Sequence, residues 1–107
     1  MWFIFPQLRG LGQSDMATRY AVQSVSEAKS YLAHPLLGSR LREACKLLLT
    51  HSGLSAHDIF GTPDDLKLRS SMTLFGEVSE PDEVFCAVLK QYFDGVKDSR
   101  TLELLAK

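Results

Sequence analysis

At 107 residues, with 45% hydrophobic and 23% charged side chains, the chain has the make-up of one small globular domain and not of a disordered segment. A formal net charge of -1, without a basic cluster, argues against nucleic acid as a partner, and no acidic block marks a tail. The two cysteines, Cys45 and Cys86, fit neither a zinc spacing nor a CxxC motif, so they imply no metal and no other cofactor.

The opening run Met1-Trp2-Phe3-Ile4-Phe5-Pro6 is apolar. It is too short for a signal h-region or a membrane span and lacks a basic n-region. Both cysteines fall on apolar helical stripes and read as reduced core residues. These features point to a soluble, cytoplasmic protein with no membrane partner. Gln7 to Asp15 carries Gly10 and Gly12 after Pro6 and reads as a loop. A short helical element is expected around Met16 to Gln23.

Ser24, three residues before Glu27, has capping-box spacing and opens a helix to about Ala33. His34-Pro35 breaks it and starts the next, which Leu37, Leu41, Ala44, Cys45 and Leu48 make amphipathic and Gly53 ends. Gly38, inside that helix, is costly unless another backbone approaches it closely. Ser55 caps a single turn over Ala56 to Phe60. Thr62-Pro63-Asp64-Asp65 then reads as N-cap and first turn of a helix striped by Leu68, Met72 and Phe75 and stopped by Gly76. Val84, Phe85, Val88, Leu89, Tyr92 and Phe93 make the clearest apolar face, closed by Gly95, and Asp98 caps a last short helix. The longest helices are expected near 35–52 and 81–94. No segment alternates like a strand, so the fold class is all-α, an irregular bundle of about five or six helices.

The polar density of the stretch from Thr62 to Thr73 exceeds what a helix needs. Asp64 and Asp65 suit the positive end of a helix dipole, and equally could orient a ribose hydroxyl or move a proton. Lys67 and Arg69 could clamp a phosphate or carboxylate, or pair with nearby acids, Asp65 lying one turn before Arg69. Ser70, Ser71 and Thr73 are poor helix-interior residues unless they find hydrogen-bond partners. Gln7 and Arg9 follow an aromatic run that could floor a pocket, with their polar ends reading a ligand. His34 suits a cap, and His51 and His57 have no metal-ligand spacing.

Three ordered stretches, Met1 to Gly12, His34 to Leu41 and Ile59 to Phe75, together resemble the family called domain of unknown function 1810 (DUF1810), whose members are sometimes mislabelled "calpastatin". The likeness runs to about Leu105. Residues 1–107 then make a single DUF1810-like domain. Relative to that family the chain starts inside the Trp-Phe-Ile-Phe-Pro-Gln segment, so the resemblance implies a missing front segment. It also implies less cover for Trp2, Phe3 and Phe5, with marginal stability or self-association. A weaker likeness is to the NADAR proteins, which act on N-glycosidic bonds of ribose-phosphate compounds. Two functions follow. One is binding of a small anionic or ribose-bearing compound, nucleotide-like or a sugar phosphate, by Gln7, Arg9, Asp64, Asp65, Lys67, Ser70 and Ser71, with N-glycosidase-like hydrolysis as its catalytic form. The other is a non-catalytic interaction protein whose polar cluster is structural. The sequence does not decide whether the protein is an enzyme.

Overall fold

A computed structural model describes residues 5–8, 21–51, 53–80 and 83–106. Among them are six helices: α1 (Val25–Ala33), α2 (Leu37–Leu49), α3 (Ala56–Phe60), α4 (Asp64–Val78), α5 (Val84–Phe93) and α6 (Ser99–Leu105). The fold is an all-α bundle. No strand occurs among the described residues, and the one extended contact is a parallel bridge between Leu8 and Val22, closed by Val22 N–H donating to Gln7 O at 2.7 Å. That contact makes Ala21 to Gln23 extended rather than helical. Met16 to Tyr20, and the aromatic residues Trp2 and Phe3, lie outside the described residues.

Local chemistry sets most helix ends. Ser24 Oγ accepts from Glu27 N–H at 3.1 Å while Glu27 reaches back to Gln23 N–H at 2.7 Å. Ser55 and Asp58 form a reciprocal capping box on α3, and Asp98 accepts from Thr101 N–H at 3.0 Å on α6. The helix after His34-Pro35 begins at Leu37, two residues later than proline placement suggests. His34 Nδ1 accepts from both Leu36 and Leu37 N–H at 3.1 Å, so the imidazole is the cap. That helix ends at Leu49, well before Gly53, where the Tyr92 hydroxyl of α5 binds the carbonyl of Leu48 and takes up an orphan acceptor.

The longest helix is α4, at 15 residues against 13 for α2 and 10 for α5. It runs through Gly76, where a Cβ would meet Cys86 Sγ at 3.6 Å, an ordinary contact. Gly38 is different. A Cβ on it would lie 2.1 Å from Leu32 O, so α1 and α2 touch backbone to backbone at that point. The core gathers Leu41, Cys45 and Leu48 from α2, Leu68, Met72, Leu74 and Phe75 from α4, and Phe85, Val88 and Leu89 from α5. Phe93 packs against it half-buried.

Candidate functional site

Helix α4 packs on α1, α3, α5 and α6, and every residue from Ser70 to Phe75 is buried. A helix stretch buried on every face is normally apolar all round. This one carries Ser70, Ser71 and Thr73 into the interior. Two of these hydroxyls are satisfied by the helix itself: Ser70 Oγ donates to Leu66 O at 3.1 Å, and Thr73 Oγ1 donates to Arg69 O at 2.8 Å while accepting Asp98 N–H at 2.9 Å. Ser71 is 0% exposed and its Oγ has no hydrogen-bond partner among the described residues. A buried hydroxyl without a partner costs about 1–3 kcal/mol.

Asp64 and Lys67 form an ion pair at 3.4 Å, and Lys67 lies one turn before Ser71 on the same side of the helix. Asp65 points elsewhere. Its Oδ1 accepts Leu66 N–H at 2.9 Å and its Oδ2 lies 3.7 Å from His57 Nδ1. The same Nδ1 lies 3.0 Å from Thr62 Oγ1. Thr62 is therefore not the cap of α4. Pro63 takes that position, after a cis Thr62–Pro63 bond, and the threonine hydroxyl faces back to α3. His57 and Thr62 were absent from the sequence-derived candidates. The signal was their placement on either side of the Gly61 turn, where φ is 71°. Both contacts reach one imidazole nitrogen, so the group does not have the two-nitrogen relay of a catalytic triad.

The Phe5–Leu8 segment approaches the same end of α4. Phe5 is buried and meets the Phe60 ring edge-on with centroids 6.1 Å apart, one residue before the turn that leads into α4. Gln7 is 8% exposed, and its carbonyl holds Val22. Arg9 lies outside the described residues. Phe5 thus lies against Phe60, just before the turn into α4, while Asp64, Asp65 and Lys67 occupy the first turn of α4. Ser71 lies a turn deeper, and the Ser70 hydroxyl is directed to the α4 backbone.

Arg69 departs from its expected i, i+4 partner. Asp65 is turned to His57, and the Arg69 guanidinium lies over the Phe93 ring, 5.8 Å from its centroid. Burial pushes the Cys45 thiol up to about 12. No group of three or more His, Cys, Asp or Glu that could hold a metal ion occurs among the described residues, and no helix there is long and apolar enough to cross a membrane.

The family model described as "Protein of unknown function (DUF1810)" matches residues 1–105. The chain belongs to the DUF1810 family. A solved structure, the conserved hypothetical protein Rv1873 from Mycobacterium tuberculosis, is 52% identical with a TM-score of 0.96, the match covering 99% of this chain and 76% of that one. No curated protein matches it. The DUF1810 match spans both the Phe5–Leu8 segment and α4, so the site's parts all fall inside the family domain.

Proposed function

We propose that the protein binds a small polar compound, anionic or ribose-bearing, where the Phe5–Leu8 segment meets the first two turns of α4. The observation that carries this reading is the Ser71 hydroxyl, fully buried and without a partner one turn below the Asp64–Lys67 pair. A central helix that keeps an unsatisfied hydroxyl at a cost to stability has a use for it beyond packing. Lys67 supplies charge for an oxyanion, Asp64 accepts hydroxyl hydrogens, and Asp65, turned to His57, borders the site. Gln7 belongs to the site from the front segment, Ser71 lies beneath it, and Ser70 offers only its lone pairs. The acids beside the helix N-terminus favour a ribose-bearing or mixed-charge ligand over bare phosphate.

A thermal-shift screen of nucleotides and sugar phosphates tests this. The expected result is a compound that raises the melting temperature, bound about tenfold or more weakly by Lys67→Ala and by Asp65→Asn, with the folding of both variants unchanged. If no compound shifts the parent, or if both variants bind as tightly, the reading fails. The NADAR likeness adds hydrolysis of an N-glycosidic bond, with Asp64 or Asp65 activating the water. Release of free base from a bound nucleotide, abolished by Asp65→Asn or by Asp64→Asn, is the readout for that extension.

The second reading, an interaction protein with a structural polar cluster, draws on Ser70 and Thr73, whose hydroxyls are satisfied within the fold. Self-association belongs with it, through Leu36, Leu37 and Leu47, which stand exposed on and beside α2. Light scattering that gives a monomer over a wide concentration range sets that part aside.

A further inference from the structure

Arg69 sits on a different side of α4 from Lys67 and Ser71, two residues from each, so it is separate from the site proposed above. Its environment is unusual for an arginine. Nε is shut off from solvent and has no acceptor, and among the described residues the side chain makes no hydrogen bond and no ion pair. Two carboxylates are close in sequence or on the helix surface. Asp65, one turn earlier, is directed to His57 and Leu66 N–H, and Asp94, next to Phe93, pairs with nothing on Arg69. The guanidinium instead lies over the Phe93 ring at the C-terminal end of α5. The other side-chain nitrogens, unlike Nε, are not shut off from solvent.

An arginine held by a ring and left without an acceptor presents a planar fork with its geometry already set. An arriving oxyanion finds the two open guanidinium nitrogens unpaired and adds charge-assisted hydrogen bonds to them. We propose that Arg69, backed by Phe93, is an oxyanion seat that takes a carboxylate or phosphate group of a small molecule. Phe93 holds the cation in place, and the turning of Asp65 toward His57 keeps the fork free of an internal counter-ion.

The test reads Arg69 itself. In the 15N-labelled full chain, the Arg69 Nε–Hε resonance, assigned by its loss in Arg69→Lys, is followed during titration with sodium phosphate, sodium acetate and, at matched ionic strength, sodium chloride. The expected result is a saturable shift with phosphate or acetate and none with chloride. The anion that saturates at lower concentration identifies the group. Arg69→Met is expected to weaken that anion's binding by about tenfold to a hundredfold, as loss of charged hydrogen bonds does. An unmoved resonance, or an Arg69→Met variant that binds as tightly as the parent, overturns the proposal. Should Arg69→Met fail to fold, the resonance of the parent decides alone. Lys67→Ala leaves this response intact, so failure here is distinct from failure at the Lys67–Ser71 site.

Discussion

A missing Cβ decides how α1 and α2 meet. At Gly38 the added methyl of alanine would fall 2.1 Å from Leu32 O, a backbone atom that cannot swing away. Gly38→Ala therefore gains helix propensity but forces the two helices apart. A net loss of about 1–3 kcal/mol is expected on urea titration, the usual range for overpacking. Unchanged stability would mean that the contact gives way freely. The cysteines make a second residue-scale prediction. Burial holds Cys45 as a neutral thiol at working pH, with its pKa raised to about 12, while Cys86 is only half-buried. Native protein at pH 8 should react with a thiol reagent at Cys86 first, and Cys45 should follow at the rate of unfolding. Equal rates would contradict the burial. The thiol character of Cys45 could be read in the sequence from its place on an apolar stripe. The contact of Arg69 with Phe93 could not, because the sequence offers Asp65 at helical spacing and says nothing of a ring on another helix.

Helix ends follow short-range chemistry, which is why Ser24, Ser55 and Asp98 could be read directly as caps. Ends set by tertiary contacts could not. The Tyr92 hydroxyl binds the end of α2 from a helix far along the chain, and α4 passes through Gly76 beside Cys86 of α5. Asp98→Ala removes the acceptor for Thr101 N–H and should cost about 1–2 kcal/mol. A loss below a few tenths would show α6 to be held by packing alone. In α3, hydrogen bonds from Ser55 lower the Asp58 pKa below its ordinary value. Its folded pKa lies below the unfolded one, so this contribution is present above about pH 4 and is lost as pH falls through the folded pKa. Acid titration of stability should be steeper in the parent than in Asp58→Asn. Parallel curves would remove the box from the account.

At the scale of the whole molecule, an all-α bundle was legible because apolar residues recur at helical spacing, and from those stripes Leu41, Leu48, Phe85, Val88 and Leu89 are buried, with Phe93 partly so. Leu89→Ala should cost about 2–5 kcal/mol. The central position of α4 was not legible. Its hydroxyls disguise a helix buried from Ser70 to Phe75 as a surface one, and only the assembled fold separates Ser70 and Thr73, satisfied internally, from Ser71, which is not. The unliganded stability of Ser71→Ala separates a satisfied hydroxyl from an unsatisfied one. Removing a hydroxyl that has no partner should leave stability unchanged or raise it by up to about 2 kcal/mol, while ligand binding weakens. A destabilisation of about 1 kcal/mol or more on denaturant titration would show that the fold satisfies Ser71 and needs no ligand to do so.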